Sequence, residues 1–289
     1  MRSCYAVEVY EDGPLAPDQV PRHPEGRQPA TNWVSQFSLE HHTAVVTGAA
    51  GGLGEQLTAI LLEAGANVVL ADLAVGKLDE LAARAPGKTL AYRCDVTSKQ
   101  SVSHLIDAAN ERFGAILVLV NCAGVLGANA LALDVDEADW ERVIGVNLKG
   151  TWMASTEVAR YMVERGIKGA IVNISSSLGL RAQLKRVPYA ASKAGVEHLT
   201  RTMAMELVRS GVRVNCLAPG WMNTEMVKSM LTGPEGERWR SAIPMGRAAE
   251  PRELAGALLL LASEASSYMT GSILRVDGGY AYCGIELPE

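Results

Sequence analysis

Tyr189 and Lys193 stand four positions apart, a spacing that puts a phenol and an ammonium on one face of a helix. A phenol ordinarily loses its proton near pH 10, and a cation beside it favours the phenolate, so such a pair can exchange a proton nearer neutrality. That is the work of a general acid/base. Taken singly the pair says little, because with eight tyrosines in the chain a lysine at this offset arises by chance about one time in five. Its company is more telling. Ser176 lies thirteen residues before Tyr189, Asn147 lies earlier in a long helical stretch, and Pro219-Gly220, with Met222 and Thr224, follow later. No G-x-S-x-G surrounds Ser176, which excludes the hydrolase elbow. Among Ser175, Ser176 and Ser177, the spacing to Tyr189 and the following Gly179 select Ser176. His198, nine residues beyond Tyr189, falls off the Tyr-Lys face and reads as a packing or surface residue.

A second cluster suits a phosphate. Thr47-Gly48-Ala49-Ala50-Gly51-Gly52-Leu53-Gly54 joins a short apolar run to a helical pattern, so small residues admit a pyrophosphate to the backbone and the free N–H groups of a helix start face it. Gly48, Gly52, Leu53 and Gly54 are the expected contacts. A P-loop would need a following Lys-Ser/Thr, which is absent; Gly87-Lys88-Thr89 lacks the upstream glycine and reads as a turn. Asp72 ends the next apolar run, 18 positions beyond Gly54, about where a carboxylate accepts hydrogen bonds from an adenosine ribose. It would repel a 2′-phosphate, and Ala50, Gly51, Leu73 and Ala74 offer no cation to hold one. NAD(H) is therefore expected over NADP(H).

The elements that must position these groups alternate. Apolar runs at Thr43 to Thr47, Asn67 to Asp72, Thr89 to Cys94, Ile116 to Asn121, Ala170 to Ser175, Arg213 to Leu217 and Ser272 to Asp277 read as strands. Helical patterns separate them: one from Leu53 to a Gly65 cap, one opened by a capping box at Thr97 and Gln100, one from about Trp140 to Arg165, one from Val187 to Ser210, and one opened by Pro251. Continuous apolar strands with helical crossovers require parallel pairing with both faces covered. The fold class is α/β, a doubly wound seven-stranded parallel sheet of Rossmann type in a single domain over residues 41–289. Residues 1–40 hold five of the twelve prolines and no periodicity, and are expected to form a flexible extension.

In this order the residues resemble the short-chain dehydrogenase/reductase family, over roughly Thr43 to Gly279. The matching motifs are T-G-x-x-x-G-x-G at Thr47 to Gly54, Asp95-Val96, N-x-A-G at Asn121 to Gly124, the Asn147-Ser176-Tyr189-Lys193 tetrad, P-G with its downstream Thr224, and Val276-Asp277-Gly278-Gly279. Cys122 departs from the pattern, in which many members carry a second Asn; no loss of chemistry is expected from it. The resemblance implies that Tyr189 is the general acid/base, that Lys193 also holds the nicotinamide ribose, that Ser176 hydrogen-bonds the reacting oxygen, and that Asn147 holds a water leading to solvent. It further implies cofactor contacts at Asp95, Val96, Asn121, Ala123, Gly124, Pro219, Gly220, Met222 and Thr224. The implied reaction interconverts a secondary alcohol and a ketone by hydride transfer with NAD.

Arg186-Val187-Pro188-Tyr189 is similar to members acting on polyols and sugar acids. The alternatives are a 3-oxoacyl thioester reductase, a hydroxysteroid dehydrogenase, and, in another class, a non-catalytic NAD(H)-binding regulator. Substrate choice is expected in a lid over about 225–247, which contains Met226, Met230, Trp239, Ile243 and Met245, and in Leu178 to Pro188, where Arg181, Lys185 and Arg186 are candidates for an anionic group.

Composition narrows the partners. The net charge of −5, with 27 basic against 32 acidic residues, leaves no excess for a phosphate backbone, so nucleic acid is not expected. Five scattered cysteines without a C-x-x-C pair argue for a reducing, cytoplasmic setting and against a metal site. No apolar run approaches the ~20 residues of a membrane span. Family members are commonly tetramers, so a homo-oligomer, tetramer or dimer, is expected, with Trp152, Met153, Met203 and Met205 as contact candidates.

Overall fold

The computed structural model describes residues 32–224, 227, 230 and 232–282. Seven strands form one sheet: β1 (Thr43–Thr47), β2 (Asn67–Asp72), β3 (Thr89–Arg93), β4 (Ile116–Asn121), β5 (Ala170–Ile174), β6 (Arg213–Pro219) and β7 (Ile273–Val276). Every pairing is parallel and the order is β3-β2-β1-β4-β5-β6-β7. Among the described residues the α-helices are α1 (Gly52–Glu63), α2 (Val75–Ala82), α3 (Lys99–Phe113), α4 (Glu137–Ile144), α5 (Thr151–Glu164), α6 (Val187–Leu207), α7 (Gly233–Ser241) and α8 (Ala255–Ala262).

The unbroken apolar strands follow from two buried faces. Neighbouring residues on a strand point to opposite sides. Val46, Val68, Leu70, Val120 and Val172 therefore pack in one core with Leu57 and Leu61 of α1 and Leu258 and Leu261 of α8. Val45, Val69, Leu119 and Ile171 pack in the other with Leu105 of α3, Val158 and Met162 of α5, and Met203 of α6. In this order β1 and β4 are neighbours whose crossovers leave in opposite directions, and the crevice beyond their carboxyl ends is where ligands bind in such sheets.

Several local expectations shift. Ser98, not Thr97, caps α3, its side chain accepting from Ser101 N, while the Thr97 hydroxyl donates to Asp95 at 2.7 Å. The stretch from Trp140 to Arg165 is not one α-helix: a π turn at Gly145–Gly150 joins α4 to α5 and carries Asn147. Helix α2, which sequence periodicity did not signal, bridges β2 and β3. Within the expected lid, Gly233 and Pro234 open α7, with Gly233 at φ +67°. Folded structure also begins ahead of residue 41: Leu39 is fully buried and its N–H donates to Ala64 O at 2.9 Å. Residues 1–31 of the expected extension and Met226 of the lid lie outside the described residues. Among the described residues no helix is long and apolar enough to cross a membrane, and no group of three His, Cys, Asp or Glu side chains is arranged to hold a metal.

Candidate active site

The carboxyl ends of the strands open into one cleft of about 370 Å³. Its walls run in sheet order from Asp95 after β3 and Asp72 of β2, past Gly48 and Gly52 to Gly54, to Ala123 and Gly124 after β4, Ser176 after β5, and Pro219 and Gly220 of β6. Tyr189 and Lys193 of α6 close the β5 side. Three strand spacings of ~4.8 Å separate β2 from β5, so Asp72 and Ser176 bound a slot roughly 14 Å long, suited to an extended ligand.

At the glycine turn the backbone needs residues without Cβ. Gly48 has φ +68°, and a Cβ there would lie 2.6 Å from Ala123 Cα. A Cβ on Gly54 would strike the Gly48 carbonyl. Thr47 locks the β1 and β4 ends together, its Oγ1 accepting from Cys122 N at 3.2 Å and Ala123 N at 3.3 Å. Gly51 caps α1 with no side-chain bond, so the N–H groups of the first turn stay directed at the cleft. Gly48→Ala is expected to cost about 1–2 kcal/mol for the left-handed backbone alone, and more for the clash. Thermal melting should fall by several degrees, at ~2–4 °C per kcal/mol, and nucleotide affinity, read by NADH fluorescence, should fall with it.

Asp72 accepts from Ala50 N at 3.0 Å and Ala74 N at 3.1 Å, which fixes its carboxylate at the slot's β2 end. Arg93, in register with Asp72 on β3, is a cation that the sequence reading did not weigh; it is absent from the cleft walls. At the other end Lys193 is buried, its Nζ donates to Ile174 O at 2.9 Å, and it lies 5.6 Å from the Tyr189 ring centroid. Tyr189 lines the cleft, and its hydroxyl makes no protein hydrogen bond among the described residues. Ser176 accepts from Leu178 N at 3.2 Å as the cap of a short 3-10 turn. Ser175 is committed elsewhere, donating to Lys193 O at 3.0 Å, which separates the two serines as spacing had.

Asn147 is fully buried. Its Oδ1 accepts from Val125 N at 2.8 Å and its Nδ2 donates to Val125 O and Ser192 Oγ, both at 3.0 Å. The side chain thus clamps the loop after β4 onto α6, a task beyond the water-holding one that the resemblance implies. Thr151 Oγ1 donates to the Asn147 carbonyl at 2.7 Å, a side-chain bond that ties the π turn to the start of α5. A Cβ at Gly124 would lie 3.3 Å from Asn147 Oδ1 and 3.6 Å from Lys193 Nζ, so glycine there lets both approach the strand end.

Other expected contacts divide. Asn121 turns away from the cleft, donating to Ser155 Oγ at 2.8 Å and Asn173 Oδ1 at 2.9 Å inside the fold. Met222, Thr224 and Val96 line the cleft. Cys122 lines it too, but burial pushes its thiol up to about 12, so it stays protonated and unreactive at neutral pH. His198 is exposed on the far side of α6. Of the expected oligomer contacts, Met203 is in the core, whereas Trp152 and Met205 are exposed.

Sequence reasoning missed Tyr280 and Trp221. Tyr280 is buried, edge-on to Trp221, and its hydroxyl donates to Gln183 Oε1 at 3.4 Å. Arg181 lies over its ring and donates to its carbonyl at 2.7 Å. A lone aromatic after Gly278-Gly279 carries no periodicity; its place directly after that glycine pair was the available signal. Gly220 reaches the same segment, where a Cβ would lie 2.6 Å from Asp277 Cα.

A sequence model described as enoyl-(acyl carrier protein) reductase matches residues 48–281. The chain belongs to the short-chain dehydrogenase/reductase family. Among the short-chain dehydrogenase/reductase relatives, the 3-oxoacyl-(acyl-carrier-protein) reductase of Thermotoga maritima is 39% identical over 83% of this chain and 98% of its own. The galactitol 2-dehydrogenase (L-tagatose-forming) of Cereibacter sphaeroides is 42% identical over 84% of this chain and 96% of its own. A crystal structure of a gluconate 5-dehydrogenase from Burkholderia cenocepacia, in complex with NADP and tartrate, superposes with a TM-score of 0.82 at 35% identity, covering 87% of this chain and 99% of that one. As a short-chain dehydrogenase/reductase, this chain is an oxidoreductase of CH–OH groups that uses a nicotinamide cofactor. The Cβ-free cradle at Gly48 and Gly54 and the uncapped start of α1 fit such a group.

Proposed function

We propose that this protein is an NAD(H)-dependent oxidoreductase that interconverts a secondary alcohol and a ketone, with Tyr189 as the general acid/base. The observation that carries this reading is that Tyr189, Lys193 and Ser176 line the same cleft as the glycine turn and Asp72. The cofactor, when bound, accepts or supplies the hydride. The chain does the rest. The Gly52, Leu53 and Gly54 N–H groups hold the pyrophosphate, with Gly48 giving it room. Asp72 accepts from the adenosine ribose, and Asp95 and Val96 flank the adenine. Ala123, Gly124, Pro219, Gly220, Met222 and Thr224 surround the nicotinamide half. Ser176 donates to the reacting oxygen, and Tyr189 takes the proton from, or returns it to, that oxygen. Lys193 holds the nicotinamide ribose and brings positive charge beside the phenol.

NAD(H) is favoured by the Asp72 carboxylate, whose charge opposes a 2′-phosphate. The polyol and sugar-acid reading is supported by similarity to galactitol and gluconate dehydrogenases; the thioester-reductase reading is supported by similarity to a 3-oxoacyl reductase. The cytoplasm suits the described cysteines, which are all free thiols. A homo-oligomer is supported by exposed Trp152 and Met205 on α5 and α6, and mass in solution decides it.

The test is a panel of polyols and sugar acids at pH 9, with a 3-oxoacyl thioester run in the reducing direction, each with NAD(H) and NADP(H) separately. Turnover with NAD+ is expected, and a preference for NADP+ contradicts the role given to Asp72. Asp72→Asn should lower the preference for NAD+ by about 10-fold or more, the value of a charge-assisted hydrogen bond.

A further inference from the structure

Of the three basic residues ahead of Tyr189, one is buried. Arg186 is 5% exposed and lines the cleft with Ser176, Tyr189 and Lys193. Lys185 is exposed, in a left-handed conformation at φ 63°, and Arg181 is engaged with Tyr280. A guanidinium carries five N–H donors in a planar fork. Arg186 uses one of them, in a long 3.4 Å bond to Ala128 O, and among the described residues no carboxylate pairs with it. Burial lowers its pKa, and negative charge on Tyr189, when its phenol is ionised, partly counters that. A buried cation left this way is costly unless an anion completes the site.

We infer that Arg186 anchors a substrate carboxylate, so that the substrate is a carboxylate-bearing secondary alcohol, not a neutral polyol. This rests on the oxidoreductase reading above and specifies its substrate class. A single carboxylate balances the single charge, and its two oxygens match the guanidinium fork. A phosphate dianion would need a second cation, and the cleft's other cation, Lys193, is in the reading above already assigned to the nicotinamide ribose and the phenol. Arg186 lies three positions before Tyr189, so a carboxylate held there fixes which carbinol meets the phenol. That makes Arg186 a residue of orientation as well as affinity.

The test uses the full chain and matched pairs that differ only at the anion: gluconate against glucitol, 3-hydroxybutyrate against 1,3-butanediol, and 4-hydroxycyclohexanecarboxylate against 4-(hydroxymethyl)cyclohexanol. For the best pair, wild-type kcat/KM should favour the acid by about 10- to 100-fold. Arg186→Gln should bring the ratio to within about threefold of unity, and Arg186→Lys, which keeps the charge without the fork, should fall between. A structural role, or one confined to the Tyr189 charge, would lower both members equally; an unchanged ratio overturns the inference. Titration calorimetry of each pair into NADH-loaded wild type, where no alcohol is oxidised, reads the anchor without turnover and without relying on a folded variant. Tighter binding of the acid by about tenfold or more is expected, and equal binding overturns the anchor. Turnover of neutral alcohols as fast as of acids sinks the anchor and leaves the oxidoreductase reading intact. Acid binding without turnover of any pair, with either cofactor, sinks the oxidoreductase reading instead.

Discussion

Tyr189→Phe is expected to lower kcat by about 10²- to 10⁴-fold, the usual contribution of a positioned acid/base, while NADH still binds. The change removes one hydroxyl and keeps the ring. Because that hydroxyl makes no protein hydrogen bond among the described residues, its loss orphans no donor or acceptor, and the fold should be unmoved. At 1.36 kcal/mol per tenfold, the loss corresponds to about 3–5 kcal/mol of transition-state stabilisation. Single-turnover kinetics and a fluorescence titration separate the two halves. A variant that turns over normally removes Tyr189 from the chemistry, and one that binds no NADH shows a damaged cleft instead. The result also excludes the regulator alternative, since a protein that only binds nucleotide has no turnover to lose.

The second large effect concerns Glu197, one helical turn after Lys193. Its side chain is 5% exposed and accepts from Arg275 Nη2 at 2.9 Å and from Ser175 Oγ at 3.3 Å. The single Ser175 hydroxyl hydrogen is shared between that carboxylate and the nearer Lys193 carbonyl, at 3.0 Å. The pair ties β7 to the helix that carries Tyr189 and Lys193. Glu197→Ala leaves the Arg275 guanidinium, whose side chain is only 15% exposed, without a counter-charge, and its Nε is already buried with no hydrogen-bond partner. Breaking a buried pair from one side costs about 3–5 kcal/mol, which at ~2–4 °C per kcal/mol lowers the melting temperature by roughly 10 °C. Differential scanning calorimetry reads this. Glu197→Gln keeps a carbonyl for Ser175 and Arg275 and should lose less. A melting point unmoved by the Ala change would show that this ion pair does not hold the helix.

Much of this was legible because it depends on period and spacing. The apolar runs named all seven strands, since a two-face-buried parallel strand has no polar interval to blur it. The glycine turn, Asp72, Ser176, Tyr189 and Lys193 were readable because each sits at a strand end or on one helix, where sequence offset fixes place. What escaped depends on contacts distant in the chain. Asn121 matched a motif, yet its amide faces Ser155 and Asn173, partners 34 and 52 residues away. Helix α2 is short, with only two buried leucines, Leu78 and Leu81. Tyr280 meets Gln183 across 97 residues, a relation that no local pattern records. Arg181, Lys185 and Arg186 looked alike in sequence; burial and contact with Tyr280 tell them apart.

The most direct measurement of the central claim follows the hydrogen itself. An acid of the panel that turns over, deuterated at its carbinol carbon, is incubated with NAD+, and the NADH is isolated and weighed by mass spectrometry. One deuterium per NADH, with slowed oxidation of the labelled alcohol, is predicted. Unlabelled NADH with deuterium released to water would contradict hydride transfer in this cleft and, with it, the role of Tyr189.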